Sequence, residues 1–326
     1  MIVAKCPLRI SLFGGSTDLE TFINEYGRGS VISFSSNLYC YIILHINNRG
    51  KIIVNYSQKE EVRDSSEIKN DIARVGLQYF GINEPITITF NTDIMTDGSG
   101  LAASSAYMIA FIKAISLYKN LKLTNVEVVK IALELERTFN PLTGYQDPYG
   151  CGMGGFKRID FFKNKKPSFR YLESSFLFKN YNLYLLHTNI KRASTSILKT
   201  IDLKKTISLL EIVDNAEKAI EENNPKEFEK LFIESWEQKK KTSSLIIGSP
   251  ELSFLDTKLS NLIEKNIIKG FKLCGAGGGG YFLLLVNKDM DSFFKQEIEE
   301  FKKTKKTIGN LIRINVDEDG CIGKNI

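Results

Sequence analysis

Apolar residues recur along this chain with two different periods. Short apolar or alternating runs over 38–44, 52–54 and 86–90 predict strands, and a helix-period segment near 68–80 separates the last two. A long apolar helix follows over about 104–118 and another over 126–138. Past residue 180 the rhythm changes. A strand pattern at 181–188 leads into helical patterns at roughly 205–222, 226–242 and 252–268, then a last apolar strand at 281–286. The change predicts two domains, 1–180 and 181–326. With no repeat, low-complexity tract or Pro/Ser linker between them, they are expected to pack around one cleft.

Between the 86–90 strand and the 104–118 helix lies Thr96-Asp97-Gly98-Ser99-Gly100-Leu101-Ala102-Ala103-Ser104-Ser105. A glycine turn opening a helix suits phosphate. Gly98 and Gly100 admit positive φ, and the helix start offers free N–H groups and its positive dipole end. Ser104 and Ser105 could either cap that helix or bind a metal carried by the phosphate. The segment reads G-x-G-x-x-A, but a dinucleotide site fits poorly: the preceding strand pattern ends several residues early and no acid follows about 20 positions on. No G-x-x-x-x-G-K-[ST] occurs.

Composition narrows the class. The 326 residues, 43% hydrophobic and 25% charged, are enough for two domains with a sizeable core. No apolar run is long enough to span a bilayer, and charges near Met1 sit where a signal peptide needs apolar residues, so a cytoplasmic enzyme with no membrane partner is expected. Five scattered cysteines with no C-x-x-C pair predict reduced thiols rather than a disulfide framework or zinc site. The net charge of +6 is dispersed among acids, as in 234–241, which reads as a solvated helix face and not a nucleic-acid patch. His45 and His187 sit in apolar strand-like runs, so histidine acid–base chemistry is discounted and a carboxylate must serve as any base.

Two further segments frame the phosphate loop: Pro7-Leu8-Arg9-Ile10-Ser11-Leu12-Phe13-Gly14-Gly15-Ser16-Thr17-Asp18, and Lys272-Leu273-Cys274-Gly275-Ala276-Gly277-Gly278-Gly279-Gly280. The three motifs, in this order over nearly the whole chain, resemble the GHMP small-molecule kinases. Within that superfamily they look most like the D-glycero-D-manno-heptose 7-phosphate kinases, with fucokinase and galactokinase sharing the opening and closing motifs. The resemblance implies an α+β fold, an α/β-type N-terminal ATP-binding domain with a ferredoxin-like C-terminal domain and the active site between them. It implies ATP and Mg²⁺ as cofactors, and phosphorylation of the anomeric hydroxyl of a heptose phosphate for surface polysaccharide. Another sugar-1-kinase or a non-catalytic sugar and ATP sensor are the alternatives, and the oligomeric state is open.

By the same resemblance Asp147, in Gly144-Tyr145-Gln146-Asp147-Pro148 on a loop, is the catalytic base, and Arg9 stabilises the transferring phosphoryl group. Without it, Asp147 reads equally well as a turn initiator before Pro148. Ser104 and Glu136 would hold the metal, with Ser105 in reserve. Gly98, Ser99, Gly100, Leu101, Ala102 and Ala103 would cradle the nucleotide phosphates. Gly14, Gly15, Ser16, Thr17, Asp18, Gln146 and the backbone of Gly277, Gly278 and Gly279 would meet the acceptor. Alternative readings stand beside these: Asp18 as the cap of a helix starting at Leu19, Glu136 as an exposed helix acid, and 275–280 as a glycine-rich hairpin. Arg192 is the expected cation for the acceptor's own phosphate, with Lys5, Arg28 and Arg158 as competitors. Ala102-Ala103 stand where the family commonly has Gly-Ser, and Cys6 where it has Ala.

Overall fold

The computed structural model describes residues 1–190, 194–304 and 308–326. The chain begins with β1 (Ile2–Phe13), α1 (Glu20–Tyr26) and the long β2 (Arg28–Ile46), then β3 (Ile52–Asn55), β4 (Lys59–Val62), α2 (Asp71–Tyr79) and β5 (Ile86–Thr92). Helices α3 (Ala103–Tyr118), α4 (Asn125–Phe139) and α5 (Gln146–Gly152) precede β6 (Phe156–Phe162), β7 (Ser168–Tyr171) and α6 (Ser175–Asn180). The remainder is β8 (Tyr181–His187), α7 (Ser194–Leu198), α8 (Leu203–Thr206), α9 (Ser208–Glu221), α10 (Pro225–Thr242), α11 (Pro250–Glu264), β9 (Ile268–Leu273), β10 (Tyr281–Asn287), α12 (Asp291–Thr304), β11 (Leu311–Ile314) and β12 (Ile322–Asn325).

The fold is α+β with two sheets. In the first, β1 runs between β12 and β2, and β2 is long enough to pair with β6 over its first half and with β5 over its second. The second has the antiparallel order β11-β8-β10-β9, the ferredoxin-like arrangement. It starts at Tyr181, but the chain does not end there: β12 returns to β1 of the first sheet. Strands β8 and β10 read as unbroken apolar runs because both faces are covered. Tyr184, Leu186, Phe282 and Leu284 join the core under α10 to α12, while Leu183, Leu185, Leu283 and Leu285, one step out of phase, belong to the core shared with the first sheet. Helix α3, apolar all round, is buried accordingly.

Three elements depart from the sequence reading. The 205–222 segment breaks into α8 and α9, where the Asp202 side chain caps the shorter helix. The 252–268 segment ends as helix at Glu264, and Ile268 already begins β9. The 234–241 run is not a uniformly solvated face: Lys239 lies on the inward stripe of α10 with Phe228, Leu231, Phe232, Ser235 and Trp236. The five cysteines are free and buried. No helix among the described residues is long and apolar enough to cross a membrane.

Candidate active site

A cleft of about 220 Å³ opens where the two sheets meet. One wall is the 96–105 loop. Gly98 (φ 64°) and Gly100 (φ 78°) adopt the left-handed conformation, as does Ala102 (φ 62°), which precedes α3 without any side-chain cap. Neither serine caps the helix, so the sequence alternative resolves: Ser105 Oγ donates to Glu136 Oε2 at 2.5 Å, and Ser104 also hydrogen-bonds that carboxylate. The first-turn N–H groups and the dipole end are left facing an anion-sized space without a side-chain acceptor.

The glycine-rich stretch 275–280 is the hairpin joining β9 to β10, and it presses on the loop. Tyr281 N–H donates to Ser99 O at 3.3 Å, and a Cβ on Gly280 (φ 92°) would lie 2.4 Å from that same oxygen. Gly280→Ala is therefore expected to push the hairpin off the loop. The KM for ATP should rise about tenfold or more, with a stability loss of about 1–3 kcal/mol, read by steady-state kinetics and a thermal melt.

Arg9, on β1, is 2% exposed and forms an ion pair with Asp147, while its Nη1 donates to Gly100 O at 3.3 Å. Burial, the largest influence, opposes its charge, but the Asp147 carboxylate together with smaller contributions from Cys151 and Cys274 holds the guanidinium above its ordinary value. Asp147 is not on a loop as the sequence suggested; it sits in the first turn of the short helix α5, a carboxylate at the positive helix end. Glu136 is 2% exposed on α4 and not a surface acid, and burial pushes its carboxyl up to about 7. Asp18 does not cap α1: it accepts from Ser16 N–H and Gln146 N–H, tying the 14–18 turn to α5. Burial, with Asp147 nearby, raises its pKa. Gln146 Nε2 donates to Ser11 Oγ at 2.8 Å, two residues along the same strand face from Arg9.

Of the residues singled out from sequence, the cleft is lined by Arg9, Gly15, Ser16, Asp18, Gly98, Ser99, Gly100, Ala102, Ala103, Ser104, Ser105, Glu136, Gln146 and Asp147. Gly14, Thr17, Leu101 and Gly277–Gly279 are not on its wall. Thr17 is fully buried and its hydroxyl bonds Gly14 O and Ser30 O, so it shapes the turn. Arg192 lies outside the described residues. Lys5 sits over the Tyr39 ring, and Arg28 and Arg158 are paired with Asp214, away from the cleft.

Sequence reasoning missed three buried lysines. Lys157, on β6, donates to Gly150 O, Gly154 O and Gly155 O, holding the C-terminal end of α5; burial lowers its pKa to about 7. Lys239 lines the cleft and donates to Gly275 O. Lys272, on β9, donates to Leu12 O at 2.6 Å. The one signal available in the chain was a lysine on the apolar stripe of α10.

Residues 67–155 match the family described as the GHMP kinases N terminal domain. This segment is a GHMP kinase N-terminal domain. The chain is an ATP-dependent kinase, 28% identical over 315 residues to the D-glycero-alpha-D-manno-heptose 7-phosphate kinase of Campylobacter jejuni, a match covering 88% of this chain and 89% of that one. Its fold is similar to a crystal structure of a D-glycero-D-manno-heptose 1-phosphate kinase from Bacteroides thetaiotaomicron, with a TM-score of 0.78, 20% identity and coverage of 100% and 99%. Lactococcus lactis galactokinase complexed with galactose superposes with a TM-score of 0.76 at 18% identity, covering 100% of this chain and 95% of that one.

Proposed function

We propose that this kinase transfers the γ-phosphoryl group of ATP to the anomeric hydroxyl of D-glycero-D-manno-heptose 7-phosphate, giving the 1,7-bisphosphate used to make nucleotide-activated heptose for surface polysaccharide. The observation that carries the reading is the cleft that sets the Asp147–Arg9 pair beside an uncapped α3 N-terminus. The heptose assignment rests on the C. jejuni relative's name.

Phosphoryl transfer asks the protein for position and charge more than for covalent chemistry. Asp147 takes the proton of the attacking hydroxyl as its oxygen bonds to the γ-phosphorus and the bond to the ADP oxygen breaks. Arg9, fixed between Asp147 and Gly100 O, spreads the charge developing on the phosphoryl oxygens. The N–H groups at the start of α3 hold the remaining phosphates. Ser104 and Glu136, hard oxygen donors in contact, suit Mg²⁺, with Ser105 orienting the carboxylate; the metal would neutralise phosphate charge. A second hollow of about 500 Å³ shares Thr96 with the cleft and is walled by Met95, His187 and Tyr281; the nucleoside is assigned there.

The similarity to a galactokinase fold keeps other sugar-1-kinase acceptors as the second reading. ATP consumption is to be measured with Mg²⁺ over D-glycero-D-manno-heptose 7-phosphate, fucose, galactose and mannose. The expected result is a kcat/KM for the heptose phosphate at least about 100-fold above the free sugars, a difference of roughly 2.7 kcal/mol in transition-state binding. Turnover confined to a free sugar would replace the acceptor, and ATP binding without turnover on any acceptor would favour the sensor.

A further inference from the structure

Every inward position on the stripe of α10 before Lys239 is apolar or small: Phe228, Leu231, Phe232, Ser235 and Trp236. Lys239 continues that stripe at 6% exposure. A lysine where the pattern calls for an apolar residue loses hydration, and here its ammonium donates to Gly275 O at the mouth of the glycine-rich hairpin. Its ammonium reaches the cleft beside Gly15, where a Cβ would lie 3.8 Å from Nζ, 3.6 Å from Ser11 Oγ and 4.0 Å from Gln146 Oε1. Gln146 adjoins Asp147, and Ser11 follows Arg9 by two residues on β1.

Lys272 stands close by, 2% exposed, its ammonium on Leu12 O just ahead of the Gly14–Gly15 turn. Burial, then the charges of Lys239 and Arg9, drive its pKa well below that of an ordinary lysine. Two lysine side chains, Lys239 and Lys272, thus converge on residues 12–15. Asp147 is committed to Arg9, and Asp18 turns its oxygens to the N–H groups of Ser16 and Gln146. This stretch of the cleft is electrostatically complementary to an anion.

We propose that Lys239, backed by Lys272, is the site that takes the anionic group of the acceptor and so selects a phosphorylated sugar over its free form. The inference rests on the kinase reading above and deepens it. The other cations weighed from the sequence, Lys5, Arg28 and Arg158, do not line the cleft.

The test pairs sugars with their phosphate esters, D-glycero-D-manno-heptose with its 7-phosphate and mannose with mannose 6-phosphate, in wild type, Lys239→Met and Lys239→Arg. Acceptor and ATP are varied independently, and thermal melts report folding. The expected result is that Lys239→Met loses about 30-fold or more of the wild-type preference for ester over free sugar, the range of a charge-assisted hydrogen bond. That loss should appear in KM for the ester, with KM for ATP within about threefold of wild type and the preference largely kept by Lys239→Arg. An unchanged ester preference in folded Lys239→Met overturns the inference while leaving the heptose kinase reading intact. Preference for mannose 6-phosphate over the heptose ester, abolished by Lys239→Met, would do the reverse. Should Lys239→Met not fold, inorganic phosphate decides with wild type alone: competition with the acceptor supports the site, and competition with ATP only overturns it.

Discussion

Asp147→Asn is expected to lower kcat by about 10²–10⁴-fold, the usual contribution of a positioned general base, with KM for ATP nearly unchanged. The amide keeps the shape and a hydrogen-bond acceptor for Arg9 but cannot take the proton of the attacking hydroxyl. A second consequence separates this residue from a surface acid. Arg9 is 2% exposed and loses its counter-charge, so the variant should also be destabilised. Because Asp147 is itself 37% exposed and water screens the pair, the loss should be on the order of 1–3 kcal/mol and not the full cost of breaking a buried pair. Steady-state kinetics with a thermal melt reads both. A folded variant with kcat within tenfold of wild type would remove Asp147 from the proton transfer.

On the proposed metal role, Glu136→Gln should raise the Mg²⁺ concentration for half-maximal activity by at least about 100-fold, since it would replace a charged ligand by a neutral one in a site with few donors. Its effect on stability has the opposite sign and a defined pH window. The carboxyl titrates at about 7 in the folded protein because burial penalises its charge, against 4.5 ordinarily. Below pH 4.5 the group is protonated in both states and costs nothing. As pH rises from 4.5 through 7 the unfolded chain ionises first, and the folded state loses stability on the order of 3 kcal/mol, levelling off above 7. Metal-free Glu136→Gln, which cannot ionise, should therefore gain on metal-free wild type between pH 5 and pH 8, measured by paired melts. Equal pH dependence in the two proteins would place Glu136 in contact with solvent or a fixed cation.

The opening, central and closing motifs are local in the chain, and their chemistry was legible there. Glycine at 98 and 100 and a helix starting within a few residues determine a phosphate-sized turn whatever surrounds it. Arg9 and Asp147 are 138 residues apart, so their pairing is a matter of how β1 and α5 pack. Asp147 was read onto a loop because Pro148 signals a turn, but proline is equally at home in the first turn of a helix, and tertiary packing made it one. The same competition ended the 252–268 helix early, since the pairing of β9 with β10 outweighed local periodicity.

What the sequence by itself determined is the inventory: strand and helix periods that change near residue 180, a glycine turn opening a helix, scattered cysteines, and the acids and arginine carried by the three motifs, with the α+β fold implied by their resemblance. What only the tertiary structure decided is the environment of each charge. Glu134 and Glu136 look alike in the chain, but the second is buried against Ser105. Lys239 belongs to a run of three consecutive lysines, yet it alone of them is less than one-tenth exposed and reaches the cleft. The physical reason is that a charge is defined chemically by its residue and energetically by its solvent, and solvent is excluded only when distant parts of the chain close over it.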